Sequence, residues 1–292
     1  MKMNPLIIFV WYAVWTVLGR LVIGMAYNAL LRGGHVRANY KGVDIPTSVG
    51  LAFALAAVVM APAAALLPGG PAPAAAFEML ALCLGFALLG LLDDLTAGRE
   101  KGGFKGHLKT FFTTGHVSTA LIKAGFGVLL CAGVLLLRRG PRDWPVLIMD
   151  VFILALSANA MNLLDVRPGR TLKGFLGGFM LLIGISIVLL VSGGRADVSN
   201  DTMILIVPFA LWAVAYWPLD LKRRAMLGDT GSNVLGVVLG LALVWDLSVP
   251  SRLAALGVLV FFHIITEITS LTKIIEAVPP LKWLDRWGVP RE

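Results

Sequence analysis

The chain predicts an all-α, polytopic integral membrane protein, and three observations support this. Hydrophobic residues make up 58% of its 292 residues and charged residues only 14%, where a soluble domain carries about 25% charged residues; mean hydropathy is +0.85. Nine apolar stretches are long enough to cross a bilayer, for which a helix needs roughly 20 residues. With the N-terminus outside, 17 lysines and arginines fall in the loops of the cytoplasmic side and six in those of the other, a positive-inside asymmetry.

The stretches are, in order, 5–31, 47–67, 74–92, 117–137, 145–163, 174–192, 201–219, 230–247 and 252–276. The first is too long for a secretory signal and lacks a small-residue cleavage pattern, so it is expected to remain as a span. Between the second and third, the Ala/Pro-rich segment 61–76 reads as a helix end and a tight exterior turn. The exterior links 68–73, 138–144, 193–200 and 248–251 are too short for a further domain. The cytoplasmic links 32–46, 93–116, 164–173 and 220–229 and the tail 277–292 are longer and richer in polar residues. Residues 1–292 therefore read as one membrane domain. Cys83 and Cys131 both lie inside apolar stretches and read as small core residues. No internal repeat is present, so an inverted-repeat transporter gains no support. The net charge of +8 follows from the loop asymmetry; it implies anionic headgroups or substrates as partners and no nucleic acid.

Four polar motifs fall at the cytoplasmic ends of these spans. Asp93 and Asp94 close the third, where helix carbonyls already carry partial negative charge. They are either a solvated helix end or a pair directed at a hard cation, which prefers carboxylate oxygens. Asn159, Asn162 and Asp165 recur every three residues at the end of the fifth span and share a stripe that drifts about 60° per step. Such a stripe suits interhelical hydrogen bonds or a metal and a diphosphate. Gly228-Asp229-Thr230-Gly231-Ser232 opens the eighth span, either as an anion site on free N–H groups or with Asp229 as a plain N-cap. Lys101, Lys105 and Lys109 lie in a loop that is basic in any positive-inside protein. Pro46-Thr47-Ser48 opens the second span. Ionisable residues within the spans are costly and so are functional candidates: Arg20, Lys123, Asp150, His263 and Glu267. Lys123 can extend its ammonium toward the boundary and Asp150 lies near the exterior end, which discounts both. His263 and Glu267 read as a structural i,i+4 pair.

Taken in order, these motifs resemble the polyprenyl-phosphate N-acetylhexosamine-1-phosphate transferase family (glycosyltransferase family 4), which includes phospho-MurNAc-pentapeptide translocases. Pro46-Thr47-Ser48-Val49-Gly50 resembles its Pro-Thr-Met-Gly-Gly segment. Asp93–Asp94 resembles its Asp-Asp pair, and Lys109 in Gly106-His107-Leu108-Lys109 its loop lysine. Asn159-x-x-Asn162-x-x-Asp165 and Gly228-Asp229-Thr230-Gly231-Ser232 match its two other signatures. The resemblance implies Mg²⁺-dependent (or Mn²⁺-dependent) transfer of a sugar-1-phosphate from a UDP-sugar to undecaprenyl phosphate, releasing UMP. The expected setting is cell-envelope glycan synthesis, at the cytoplasmic face of the plasma membrane. It implies Asp93, Asp94, Asp165 and Asp229 as catalytic residues, with Asp165 and Asp94 on the metal. Lys109, Asn159, Asn162, Arg170, Gly231 and Ser232 are the expected substrate contacts, with Lys109 and Arg170 as phosphate clamps. The expected partners are the UDP-sugar, the lipid phosphate, the membrane and, as an option, a second copy in a homodimer. A lipid-phosphate transporter and a catalytically silent scaffold are the rival classes.

The chain departs from the family pattern in four respects, the first being one span fewer than the usual ten or eleven. After Asp165 the family commonly reads Gly-x-Asp-Gly, and here Val166-Arg167-Pro168-Gly169-Arg170 stands. The His-rich loop tied to sugar recognition is absent, and Leu95-Thr96-Ala97 replaces a basic residue after the Asp pair. The phosphate-transfer centre is expected to be kept and the sugar contacts to differ, with Arg167, Arg170 and the tail near Lys273 as their source.

Overall fold

The computed structural model describes residues 4–96, 119–139, 143–191 and 198–290. Among them the order is α1 Pro5–Arg32, β1 Val36–Ala38, β2 Asp44–Pro46, α2 Leu51–Ala65, α3 Pro73–Thr96, α4 Thr119–Arg139, α5 Trp144–Leu164, α6 Arg170–Val191, α7 Asn200–Leu205, α8 Val207–Leu221, α9 Gly228–Asp246, α10 Val249–Ile268, α11 Leu271–Ala277 and α12 Pro279–Arg286. The one sheet described is the antiparallel hairpin β1–β2, with Arg37 opposite Ile45. The protein is an all-α, multi-pass membrane protein, and seven described helices are long and apolar enough to cross a bilayer.

Each of the nine predicted stretches coincides with helix, but three differ in detail. The second shrinks to the 15-residue α2, about 22 Å at 1.5 Å per residue, because residues 47–50 form a non-helical link and turn before it. Thr47 N–H donates to His35 O, and Val49 and Gly50 N–H donate to Met226 O and Leu227 O. The seventh divides into α7 and α8, with Pro208 in the first turn of α8. The ninth ends at Thr269, whose extended backbone separates α10 from α11.

Helix α9 is the centre of the bundle, packed chiefly on α3 and α5. Fourteen of its 19 residues are buried, whereas α10 has none and presents its apolar surface to lipid. The contrast follows from side-chain size. Lipid is as apolar as leucine, so helices in a membrane associate through close packing, and small residues permit it. A Cβ on Gly236 would lie 2.4 Å from Ser157 O of α5, so no larger residue fits there. On α1 the buried positions are Trp11, Trp15, Gly19 and Ile23, one stripe at i+4 spacing. Trp11 Nε1 donates to Ile204 O at 3.0 Å, and Trp212 Nε1 donates back to Trp15 O at 2.8 Å.

At the bundle end remote from the motifs, two fully buried acids are paired. Glu78 of α3 forms an ion pair with Arg138 of α4 and accepts from Trp245 Nε1 at 2.8 Å. Asp150 of α5 accepts Arg252 Nη1 of α10 at 2.7–2.8 Å. An unpaired charge is costly in lipid; these two acids carry their own cations and tie α3 to α4 and α5 to α10. Asp150 is structural for that reason, and two of the six basic residues that the sequence reading assigns to the exterior, Arg138 and Arg252, serve as partners to buried acids.

Topology is testable with single cysteines, because the native Cys83 and Cys131 are buried. With the N-terminus outside, Leu66→Cys, 85% exposed in the native protein, is expected to label in intact cells. Lys41→Cys in the hairpin is expected to label only after permeabilisation. The opposite pattern would invert the orientation.

Candidate functional site

The site forms where the C-terminal ends of α3 and α5 meet the N-terminal end of α9. Four backbone N–H groups of a helix start lack intrahelical partners, and α9 obtains a partner for two of them from another helix. Asp94 of α3 accepts Asp229 N–H on Oδ1 at 2.9 Å and Thr230 N–H on Oδ2 at 3.1 Å. Thr230 Oγ1 and Ser48 Oγ donate to the same Oδ2 at 2.6 and 2.8 Å. A carboxylate at this position also suits the positive end of the helix dipole. Asp94 thus staples α3, α9 and the non-helical link before α2. Arg37 of β1 adds a hydrogen bond to Asp94 O at 2.9 Å, which fixes the hairpin over the helix ends.

Glycines let these backbones touch. Gly228 has φ +76°, a conformation that costs glycine nothing, and a Cβ there would lie 2.6 Å from Asp94 Oδ2. A Cβ on Gly231 would lie 2.5 Å from Gly50 Cα. Gly231→Ala is therefore expected to lower stability by about 1–3 kcal/mol, the usual cost of overpacking, read as a lower Tm of the detergent-solubilised protein. An unchanged Tm would mean that the Gly50–Gly231 contact is not a close one.

The remaining acids gather around this staple. Asp93 is paired with Lys123 of α4, and its carboxyl lies within hydrogen-bonding reach of Asp229. Asn162 Nδ2 donates to Asp229 Oδ2 at 3.4 Å. Asp165, just past the end of α5, accepts Thr171 Oγ1 at 3.0 Å. Burial pushes its carboxyl well above the usual carboxylate range, and the nearby Asp220, Asp229 and Asp94 push it further, against the Thr171 hydrogen bond. Asp220 accepts Gly169 N–H at 2.7 Å and so anchors the divergent Pro168-Gly169-Arg170 turn beside Asp165.

These groups open on a cleft of about 160 Å³. Asp94, Asp165, Asp220 and Asp229 line it together with Arg37, Arg167 and Arg223. The Arg167 and Arg223 guanidiniums lie 4.6 and 5.7 Å from the Tyr40 ring centroid, so a cation–π cluster forms part of the rim. Carboxylates beside guanidiniums can hold a divalent cation and a phosphate ester at once. Among the described residues no group of three acids, histidines or cysteines is spaced to cage a metal by itself. Magnesium does not need one, because it keeps several waters and is bound through one or two carboxylates plus substrate phosphates.

The structure brings together Asp93, Asp94, Asn162, Asp165 and Asp229. Gly231 and Ser232 lie buried behind the cleft wall, where Gly231 packs on Gly50 and Ser232 Oγ donates to Asp229 O at 3.4 Å. Asn159 is exposed. Arg170 forms a bidentate pair with Asp285 of α12, Nε–Oδ1 2.6 Å and Nη2–Oδ2 3.0 Å, and donates to Thr272 of α11. Lys109 lies outside the described residues. Sequence reasoning missed Arg37, Asp220 and Arg223 as cleft residues, named Ser48 only as part of the start of the second span, and discounted Lys123. The one available signal was for Lys123, a lone cation near the start of an apolar stretch.

No curated protein matches the chain. A family model described as "Glycosyl transferase family 4" matches residues 76–246, more than half of the sequence. That match contains Asp93–Asp94, the Asn-x-x-Asn-x-x-Asp stripe and the Gly228–Ser232 motif, and it leaves the hairpin and the α11–α12 arm outside. The chain belongs to glycosyl transferase family 4.

Proposed function

We propose that the protein transfers a sugar-1-phosphate from a UDP-sugar to polyprenyl phosphate and releases UMP, with the cleft facing the cytoplasm. One observation carries this reading: the ends of α3, α5 and α9 converge on an acidic cleft rimmed by arginines, at one end of a membrane bundle. A sugar donor from water and a lipid acceptor from the bilayer can meet only at such a boundary.

A phosphate oxygen of the lipid attacks the β-phosphorus of the donor. The bond from that phosphorus to the bridging oxygen breaks, and UMP leaves with the oxygen. Because the second pKa of a phosphate monoester lies near 6, the nucleophile is already largely dianionic and no strong base is required. Asp93 then orients it. Arg37, Arg167 and Arg223 hold the diphosphate at the rim through charge-assisted hydrogen bonds. Asp165 and Asp229 are the open carboxylates suited to Mg²⁺ or Mn²⁺. Asp94 can join them only through Oδ1, since three donors already occupy Oδ2. A cation bound there would neutralise the diphosphate as charge builds on the leaving UMP. It would also relieve the mutual repulsion of the acids.

The test is transfer from a panel of radiolabelled UDP-sugars to undecaprenyl phosphate by the purified protein in lipid nanodiscs. Chloroform-extractable label is expected with at least one donor, and it is expected to disappear with EDTA and return with Mg²⁺. No labelled lipid from any donor would remove the reading.

A further inference from the structure

Asp229 has two sides. Toward the cytoplasm it lines the cleft with Asp94 and Asp165. Its other neighbour, Asp93, is not among the cleft-lining residues; it turns to α4, where the Lys123 ammonium meets it. Lys123 is the fifth residue of α4, so it sits within about 8 Å of that helix's start, at 1.5 Å per residue. Its flanking residues Ile122 and Phe126 are large, apolar and exposed, as expected of a surface that faces lipid. The pair is not sealed: 23% of the Lys123 side chain and 35% of the Asp93 side chain remain exposed. An ammonium has three donors, and among the described residues the one side chain that meets the Lys123 ammonium is Asp93.

We infer that Lys123 binds the phosphate monoester of the acceptor lipid, delivered along the α3–α4 face to the Asp93 edge of the acids that line the cleft; this rests on the transferase reading above. Charge supports the assignment. A dianionic phosphate approaching Asp93, Asp94 and Asp229 meets three acids, and Lys123 is the cation placed in contact with that group from the membrane side. Depth supports it too, because an ammonium near the start of a spanning helix lies where a lipid phosphate lies. Held there, the phosphate has Asp93 beside it and borders the acids that line the cleft, so acceptor and donor reach them from different sides. The residues after the Asp pair, Leu95-Thr96-Ala97, contain no cation, and α4 supplies one from 30 positions away.

The experiment measures both substrates in nanodiscs for wild type, Lys123→Ala, Lys123→Gln and Lys123→Arg. A lost charge-assisted contact predicts a KM for undecaprenyl phosphate raised about tenfold to a hundredfold in the Ala and Gln variants. The UDP-sugar KM is expected to stay within about twofold, and Arg to restore most of the loss. An unchanged lipid KM overturns the proposal. So does an equal rise in both KM values with a lowered Tm and no rescue by Arg, which would make Lys123 only the structural partner of Asp93. A second readout needs no turnover: native mass spectrometry of the protein with undecaprenyl phosphate, undecaprenol, phosphatidate or inorganic phosphate. Wild type is expected to retain undecaprenyl phosphate alone and Lys123→Gln to lose it. Equal retention of phosphatidate or undecaprenol would overturn the assignment to the acceptor phosphate. Retention that depends on Lys123, in a protein that transfers no sugar, would leave this site standing while the transferase reading fails.

Discussion

Asp165→Asn is expected to cut sugar-phosphate transfer by about 10²–10³-fold, the usual loss when one preorganised electrostatic group is removed, while stability holds or rises. The two effects separate because Asp165 sits among like charges. Burial and the carboxylates of Asp220, Asp229 and Asp94 raise its pKa, so the folded state holds its proton more tightly than the unfolded chain. Stability then falls as pH rises from the ordinary carboxylate range, near 3.9, through the raised value, and is flat beyond it. The amide keeps the volume and an oxygen for the Thr171 hydroxyl but cannot ionise. Thermal unfolding of wild type is thus expected to weaken over that window, and that of Asp165→Asn to weaken less. Mg²⁺ is expected to raise the wild-type Tm more than the variant's, because ligand binding to the folded state stabilises it. Transfer at the wild-type rate in Asp165→Asn would show that Asp165 is only the end of α5.

The placement of the motifs at helix ends was legible in the sequence because hydropathy locates span boundaries within a few residues. Asp93–Asp94 does close α3, and Gly228–Ser232 does open α9. Their pairing was not legible. Asp94 caps α9 from a position 135 residues earlier in the chain, and no local pattern distinguishes such a staple from a metal ligand. The Asn159–Asn162–Asp165 stripe was legible only over one step. A drift of about 60° per three residues becomes about 120° over six, so Asp165 reaches the cleft while Asn159 ends on an exposed face. Lys123 is discounted in the sequence because its ammonium can extend to the boundary, and hydropathy does not say that a neighbouring acid meets it instead. Residues 47–50 read as the start of a span in the sequence, because their non-helical order comes from backbone bonds to His35, Met226 and Leu227, not from their own composition.

Arg170→Ala and Asp285→Ala are expected to act alike, each lowering stability by about 2–4 kcal/mol and releasing the α11–α12 arm to protease. Arg170 is 5% exposed, and removing one partner of a buried pair leaves the other uncompensated, at a usual cost of about 3–5 kcal/mol. The Asp285 side chain retains 22% exposure, which moves the expectation toward the lower end. Lys173 Nζ adds a bond to Asp285 O at 2.7 Å, so the start of α6 grips the arm at two points. The sequence alone cast Arg170 as a phosphate clamp, and the two roles differ in what Asp285→Ala does. A clamp would raise the UDP-sugar KM in Arg170→Ala and leave Asp285→Ala near wild type. A latch predicts the same losses in both, with little further loss in the double variant, because contacting residues couple by about 0.5–3 kcal/mol. It also predicts recovery in the exchange Arg170→Asp with Asp285→Arg. Because Arg167 and Pro168 immediately precede the latch and line the cleft, a freed arm is expected to loosen that rim and weaken donor binding secondarily in both single variants. A raised donor KM in Arg170→Ala alone, with unchanged stability and an arm still protected from protease, would return Arg170 to the substrate.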